Sequence, residues 1–349
     1  MRGAATSTMN QPSWLFSIPL RVRLCALGLM IACVLSFLIS LSVGSFSIPL
    51  DLLLSLLSES SANTSEHTIE RAVVMELRLP RALSAMVVGA QLALAGCLMQ
   101  ALLRNPLADP YVLGVSGGAS VAAMVAILFG LGGFWISGSA LFGAMLNMIL
   151  VFGLVQRSGR WSSGRLLLTG IVIASGWGAM VSFLLAISDG SALKGMLFWL
   201  MGDFSHSGYP GWNSLWLLIG LVFSLAAARP LNILVRGELQ AKALGVDPRP
   251  LQVGLYLLTS LLTASAVTQA GSIGFLGLVV PHLVRLAIGA DHRWLLPCSA
   301  LAGATLLLLA DTLARTLIAP QQLPVGVITA LLGVPLFLFL LNRHNDVSR

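Results

Sequence analysis

Residues 104–119 read Arg104-Asn-Pro-Leu-Ala-Asp-Pro-Tyr-Val-Leu-Gly-Val-Ser-Gly-Gly-Ala119, a polar stretch that separates two long apolar runs. Pro106 and Pro110 have no backbone N–H, and each disfavours helical geometry in the residue before it. We therefore predict that one helix ends near Arg104 and that another begins near Tyr111. The stretch is a built-in break between two helices.

The polar and small residues of this stretch suit such a break. The side-chain oxygens of Asn105 and Asp109 can accept backbone N–H groups that a helix end leaves unpaired. Gly114, Gly117 and Gly118 allow the next helix to pack closely against its neighbours. The rest of the chain is organised around this turn.

The composition is that of a membrane protein. Hydrophobic residues make up 57% of the 349 residues and charged residues only 9%, whereas soluble domains carry about 25% charged residues. The apolar runs are continuous rather than alternating, which predicts spanning helices and argues against a β-barrel. The net charge of +7 comes from basic residues scattered singly in short loops, so membrane topology explains it better than nucleic-acid binding does.

The four cysteines, Cys25, Cys33, Cys97 and Cys298, all lie inside apolar runs. None of them has the spacing of a zinc site or of a disulfide framework. We expect them to be packing residues, and we expect no metal site and no cofactor in this chain.

The apolar runs predict an all-α integral membrane protein with ten spans. A polar segment, residues 1–23, precedes them. The first apolar run has a signal peptide as its alternative interpretation, which the length of the run and the lack of a cleavage site disfavour. The expected spans are 24–43, 80–103, 111–131, 138–156, 164–187, 212–228, 251–269, 275–290, 294–313 and 325–342.

Three parts of this pattern are not ordinary spans. Residues 44–77 form a predicted outer loop in which Ile48–Leu57 has the pattern of an amphipathic interfacial helix. Leu193–Leu200 is too short to span and is predicted to be a half-helix that enters from the outer side. The span 275–290 is the weakest, because Pro281 interrupts it, and we expect a broken helix there.

The distribution of arginine and lysine predicts the orientation. With both termini on the inner side, fifteen of the twenty basic residues fall on the inner side of the ten spans. This asymmetry agrees with the positive-inside rule. The five on the outer side are Arg71, Arg78, Arg81, Lys194 and Arg315.

Several motifs, in a fixed order, resemble the FecCD-type permeases, which are membrane subunits of type II ATP-binding-cassette (ABC) importers for iron chelates, haem and cobalamin. The resemblance extends from about residue 44 to residue 342. The matching stretches are Arg78-Leu-Pro-Arg81, Asn105 to Ala119, Trp199-Leu-Met-Gly202, Gly271-Ser-Ile-Gly-Phe-Leu-Gly-Leu-Val-Val-Pro-His-Leu-Val-Arg285, Asp291-His-Arg293, Ala310-Asp-Thr-Leu-Ala-Arg315 and Leu323-Pro-Val-Gly-Val-Ile-Thr-Ala-Leu-Leu-Gly-Val-Pro335.

The resemblance implies one transmembrane permease domain, residues 24–342, with a cytoplasmic tail after it and a coupling loop at about 229–250. It also implies a homodimer of ten-helix protomers in the bacterial inner membrane. Two cytoplasmic ATPase subunits and a periplasmic substrate-binding protein are the implied partners. One position departs from the family pattern, because Gln322 stands where the family usually has a glutamate before the Leu-Pro-Val-Gly turn.

The resemblance also assigns roles to residues at both ends of the spans. Arg78, Arg81 and Arg315 would receive acidic residues of the binding protein, although snorkelling arginines that anchor the membrane interface are the ordinary alternative. The segment 237–247 resembles the coupling helix that contacts the ATPase, against the alternative of a solvated loop helix. In it, Glu238 and Asp247 would make polar contacts while Ala241 and Leu244 pack, between Gly237 and the helix stop Gly245.

Asn105 and Leu107 match the cytoplasmic gate of the family, and Ser162 and Ser163 are candidates for a second part of it. Helix capping by Asn105 and Ser163 is the alternative, and both roles are compatible. On the outer half-helix, Met196, Phe198, Trp199 and Met201 are candidates to line the path, although plain packing explains them equally well. His206 is a candidate for a haem ligand, although a lone histidine in a loop is usually solvated.

Transport without covalent chemistry is the predicted function. The chain has no Gly-x-x-x-x-Gly-Lys-Ser/Thr phosphate loop, so a partner must hydrolyse ATP. An ion-coupled secondary transporter is the alternative, and Asp311 and His282 would be its main ionisable groups. We interpret Asp311 instead as the partner of Arg315, four residues later. The substrate stays open among haem, ferric siderophore and cobalamin, with haem slightly favoured by family likeness.

Overall fold

The computed structural model describes residues 19–44, 46–57, 68–157, 162–205 and 207–347, with side chains as far as residue 339. All regular elements in these segments are helices. In chain order they are α1 (Leu20–Ser42), α2 (Leu50–Leu57), α3 (Thr68–Ala72), α4 (Leu79–Leu103), α5 (Val115–Leu128), α6 (Gly133–Arg157), α7 (Ser163–Ile187), α8 (Gly190–Leu200), α9 (Gly211–Ala226), α10 (Ala228–Leu234), α11 (Glu238–Ala243), α12 (Pro248–Ala270), α13 (Leu276–Ile288), α14 (His292–Thr316) and α15 (Val325–Val347).

The helices agree with the ten predicted spans. Six are long and apolar enough to cross a membrane, the bent pair α9 and α10 supplies a seventh, and α5, α13 and α15 contribute shorter apolar helices. The predicted half-helix is α8, and the predicted interfacial helix is α2. We call the end of the bundle that carries Arg104 the inner end, and the opposite end the outer end.

Helix α4 is the centre of the bundle. It begins at the outer end as a continuation of α3 through a π-helical turn, Val73–Arg78, so part of the predicted outer loop is helical. It contacts α12, α13 and α14 along its length. Glycine makes these crossings close: a Cβ atom on Gly89 would lie 2.3 Å from the carbonyl oxygen of Gly303 on α14. Small residues at such crossings let two backbones approach.

The irregular span is α13, but its break is not where the sequence predicted it. The helix continues through Pro281 without interruption. The break precedes the helix, where Gly271 and Phe275 both have positive φ angles. With 13 residues, α13 is about 20 Å long and too short to cross the hydrocarbon core alone.

A side chain on α4 explains how Pro281 is tolerated. Proline lacks the N–H that would bond to the carbonyl of Gly277, four residues earlier. The Nε2 of the buried Gln100 donates to the carbonyl of Leu278 at 3.1 Å and lies 3.5 Å from that of Gly277. Gln100 also accepts a hydrogen bond from Arg285 at 2.9 Å. A side chain of a neighbouring helix therefore bonds to the carbonyl of Leu278, next to the Gly277 carbonyl whose partner the proline removes.

Candidate functional site

The polar turn between α4 and α5 forms as its sequence predicts. Helix α4 ends at Leu103, and a short 3-10 helix begins at Pro110. The Oδ1 of Asn105 accepts the N–H of Leu107 at 2.9 Å, and the Oδ1 of Asp109 accepts the N–H of Tyr111 at 2.8 Å. Both predicted side-chain acceptors are confirmed.

A cavity of about 530 Å³ lies between this turn and α7. The two predicted gate residues, Asn105 and Leu107, both line it, together with Leu103, Ala108, Val112, Leu167, Ile171, Ala174 and Ser175. Helix α7, which supplies part of this lining, is the least buried of the six long spans.

The two serines at the start of α7 have other contacts. Ser162 caps the helix, because its hydroxyl oxygen accepts the N–H of Arg165 at 3.2 Å. The hydroxyl of Ser163 donates to the carbonyl of Leu102 at 3.0 Å, which ties α7 to the end of α4. The capping residue is therefore Ser162 and not Ser163. A gate role for either serine stays a prediction.

A buried asparagine that the sequence analysis missed joins the turn to α7. Asn147 on α6 is fully buried. Its Nδ2 donates to the carbonyl of Leu113 at 2.9 Å, and its Oδ1 accepts the indole N–H of Trp177 at 2.8 Å. An asparagine inside an apolar run was the available signal, since such residues often bond across helices.

We expect Asn147→Leu to lower the free energy of unfolding by about 1 to 3 kcal/mol, because the carbonyl of Leu113 and the indole of Trp177 lose their partner inside the bundle. Thermal unfolding of the purified protein in detergent measures the change. Trp177→Phe removes only one of the two bonds and should cost less. A melting temperature for Asn147→Leu equal to that of the wild type would contradict the bridge.

At the outer end, the structure buries Arg78, which was expected to face a binding protein. Only 6% of the residue is exposed. Its guanidinium donates to the carbonyls of Leu41 at 2.6 Å and Ser42 at 2.9 Å, and also to that of Phe46. The arginine thus holds the end of α1 against the start of α4.

Arg81 and Arg315 are also buried, on either side of one carboxylate. Arg81 Nη2 lies 2.8 Å from the Oδ1 of Asp311, and Arg315 Nε lies 3.2 Å from its Oδ2. The intrahelical pair between Asp311 and Arg315 is confirmed. Arg315 Nη2 donates in addition to the carbonyl and the hydroxyl of Ser40. The three outer arginines therefore have internal partners, and their docking role stays a prediction.

Gln322, which departs from the family pattern, belongs to the same cluster. Its Oε1 accepts a hydrogen bond from Arg81 Nη1 at 2.7 Å. The hydroxyl of Ser205 lies 3.4 Å from the same oxygen and donates to Asp203 at 2.7 Å. The amide oxygen of Gln322 thus occupies the acceptor position beside Arg81 without adding a negative charge.

The predicted coupling helix forms as α11, between two glycines with positive φ angles, Gly237 and Gly245. Ala241 is buried as expected, but Leu244 is 62% exposed, and Leu239, which the sequence analysis did not single out, is 85% exposed. Leu244 therefore does not pack within its own chain, and its expected packing in the coupling contact stays a prediction.

The two acidic residues of this loop contact their own chain. The Oδ1 of Asp247 accepts the N–H of Arg249 at 3.1 Å and caps α12. The Oε1 of Glu238 accepts from Gln252 Nε2 at 3.0 Å and lies 3.4 Å from Arg104 Nη2. Polar contacts of these residues with an ATPase stay a prediction.

The candidate lining residues of α8 differ in their environment. Met196 is fully buried in a cluster with Val121, Met124 and Leu184. Packing is therefore its role in the structure, as the alternative interpretation stated. Phe198, Trp199 and Met201 are half-buried, and for them the lining role stays a prediction. His206 lies outside the described residues.

Three of the sequence motifs meet where α8 ends. The N–H of Val325 donates to the carbonyl of Gly202 at 3.0 Å, and the N–H of Asp203 donates to that of Ala270 at 2.9 Å. A Cβ atom on Gly326 would lie 2.1 Å from the carbonyl oxygen of Met201, so only glycine fits there. Motifs that lie far apart in the chain, at residues 199–202, 271–285 and 323–335, thus build one junction.

The polar turn reaches the same junction. The hydroxyl oxygen of Tyr111 accepts the N–H of Ile273 at 3.1 Å. Pro110 packs against Gly277, where a Cβ atom would lie 2.6 Å from the proline ring. The segment that lines the inner cavity is therefore in direct contact with the break before α13.

Comparisons with known proteins identify relatives of this chain. The model of the FecCD transport family matches residues 32–343. The hemin transport system permease protein HmuU of Yersinia pestis is 43% identical over 91% of this chain and 96% of its own length. The vitamin B12 import system permease protein BtuC of Citrobacter koseri is 41% identical over 77% of this chain and 83% of its own.

A solved structure has the same architecture. It is an inward-facing conformation of a transporter assigned to the metal-chelate type of ABC transporters. The two superpose with a TM-score of 0.82 at 34% identity, over 92% of this chain and 99% of that one.

Proposed function

Because the chain belongs to the FecCD transport family, we propose that it is the permease subunit of an ABC importer that carries haem into the cytoplasm. The observation that carries the proposal is the inner cavity, which Asn105 and Leu107 line beside the largely unburied helix α7. A large cavity with mainly apolar walls suits the release of a bulky ligand with extensive apolar surface. A ferric siderophore and cobalamin are the next candidates.

The proposal includes a homodimer with one path between its two copies. Helix α7 exposes a long apolar face that includes Leu168, Val172 and Phe183. Together with the cavity beside it, this face suits a second copy of the chain, whose α7 would close the path. Lipid would cover the remaining apolar faces.

Two further partners complete the proposed importer. An ATPase subunit on the inner side would contact α11 through Leu239 and Leu244, the exposed leucines of the coupling loop. A substrate-binding protein would dock at the outer end, near Gln322 and Ser205, which are exposed. Arg78, Arg81 and Arg315 lie at the same end of the bundle, where three positive charges against one aspartate would attract an acidic partner.

The transport mechanism that we propose is alternating access. ATP binding and hydrolysis in the partner would move α11, and the turn that contains Asn105 and Leu107 would open and close the inner end. The ion-coupled alternative would use Asp311 as a carrier of protons. Asp311 is fully buried and forms ion pairs with two arginines of its own chain, an arrangement that suits a structural ion pair.

We expect ATP-driven uptake by proteoliposomes that contain this protein, its ATPase and its binding protein. Hemin, a ferric siderophore and cobalamin are added in turn, and ATP hydrolysis and internal ligand are both measured. Hemin should stimulate both ATP hydrolysis and uptake by several-fold. No uptake is expected when a non-hydrolysable analogue replaces ATP. Uptake that follows a proton gradient without ATP would overturn the proposal in favour of the ion-coupled transporter.

A further inference from the structure

Arg104 adopts a backbone conformation that usually belongs to glycine. It ends α4 in the left-handed region, with φ 51° and ψ 36°. The N–H of Arg104 donates to Ala101 and that of Asn105 to Gln100, the pair of bonds that defines a Schellman motif. A side chain that persists at a glycine position indicates a role for that side chain.

The side chain of Arg104 reaches the coupling loop. Its Nη2 lies 3.4 Å from the Oε1 of Glu238, the first residue of α11. The same oxygen accepts a hydrogen bond from Gln252 Nε2 at 3.0 Å, and Gln252 is buried on α12. Glu238 thus joins the end of α4, the coupling helix and α12 at one carboxylate.

The two ends of this contact lie beside the two moving parts of the proposed importer. Next to Glu238, Leu239 is 85% exposed on the surface proposed for the ATPase. Next to Arg104, Asn105 begins the turn that lines the inner cavity. The ion pair is half-exposed, at 36% and 37% of the two side chains, so it can break and re-form without burying a lone charge.

We propose that Arg104 and Glu238 are positioning residues that transmit movement of α11 to the turn at Asn105–Asp109. This inference rests on the proposed function, because it assigns to one ion pair the link between the ATPase and the gate. The pair acts through its geometry and contacts neither ATP nor substrate.

The test compares transport with ATP hydrolysis in reconstituted complexes. Arg104→Glu and Glu238→Arg are prepared singly and together, and uptake of hemin and of cobalamin is divided by the ATP consumed. We expect each single variant to transport at least five-fold less ligand per ATP while hydrolysis continues. The double variant, which restores opposite charges, should recover at least half of the wild-type ratio. Arg293→Glu, at an exposed arginine in the first turn of α14, should leave the ratio unchanged.

The outcomes separate the two proposals. A wild-type complex that does not transport overturns the proposed function itself. A wild-type complex that transports, with single variants that keep its ratio or a double variant that stays uncoupled, overturns the role of the ion pair. If charge reversal prevents assembly, Arg104→Gln and Glu238→Gln remove the pair without placing like charges together. The same loss of ligand per ATP is then expected, and an unchanged ratio contradicts the inference.

Discussion

Asp311→Asn is expected to lower the free energy of unfolding by about 3 to 5 kcal/mol, because it leaves two buried guanidinium groups without a counter-charge. The side chain of Asp311 is fully buried, and those of Arg81 and Arg315 are each 9% exposed. Asparagine has nearly the same shape as aspartate, so the loss of stability measures the effect of the charge rather than that of packing. Thermal unfolding in detergent and the yield of membrane-inserted protein measure it.

Two variants test whether charge is the cause. Asp51→Asn makes the same chemical change at an exposed position in the first turn of α2, and its effect should be within about 0.5 kcal/mol. Asp311→Leu together with Arg81→Met removes one charge of each sign, and it should therefore be less destabilising than Asp311→Asn. If Asp311→Asn unfolds at the wild-type temperature, the ion pairs do not hold the outer end together.

The long spanning helices were predictable because each depends on a local property. An apolar run of about twenty residues has one low-energy arrangement in a bilayer, whatever its neighbours are. The turn at 104–110 was equally predictable, since proline removes N–H groups and the nearby Asn105 and Asp109 supply acceptors. These features need no knowledge of what packs against them.

The position of the break before α13 and the burial of the outer arginines were not predicted, because both depend on contacts between residues that are distant in the chain. Pro281 stays inside α13 because Gln100, on another helix, takes over the carbonyls beside it. Arg78 points inward because the carbonyls at the end of α1 are within its reach. The position of an arginine near the outer end of a span does not distinguish a surface cation from a buried one.

In the candidate site, sequence reasoning identified the parts but not the bonds between them. Asn105 and Leu107 were assigned to the gate by resemblance, and they do line the inner cavity. The contacts that connect this turn to α7 and to α11 pass through Asn147 and Glu238, which lie 42 and 133 residues farther along the chain. Glu238 was expected to face a partner, and only the structure shows that it contacts Arg104.

We expect Gly96→Ala to destabilise the protein by about 3 kcal/mol, at the upper end of what overpacking costs. A Cβ atom on Gly96 would lie 1.9 Å from the carbonyl oxygen of Gly277 and 2.5 Å from its Cα atom. Both are backbone atoms, so no rotamer change relieves the contact, and α4 and α13 must separate. Thermal unfolding of the purified protein gives the measurement.

The matched control is Gly28→Ala on α1, where a Cβ atom would meet nothing within 4 Å. Alanine is the better helix former by about 0.8 to 1 kcal/mol, so this variant should be as stable as the wild type or more stable. Equal stability of Gly96→Ala and Gly28→Ala would mean that α4 and α13 are not in backbone contact.

Gly96→Ala should also impair transport, because the crossing at Gly96 positions more than two helices. Gly277, on the other side of the crossing, packs against Pro110 at the end of the inner turn. Moving α13 away from α4 therefore moves the support of the turn that lines the cavity. We expect Gly96→Ala protein that still assembles to show reduced uptake per ATP, whereas Gly28→Ala should transport normally. A stable Gly96→Ala protein with normal uptake would show that the gate does not depend on this crossing. Movement of the gate would then depend on its contact with α11.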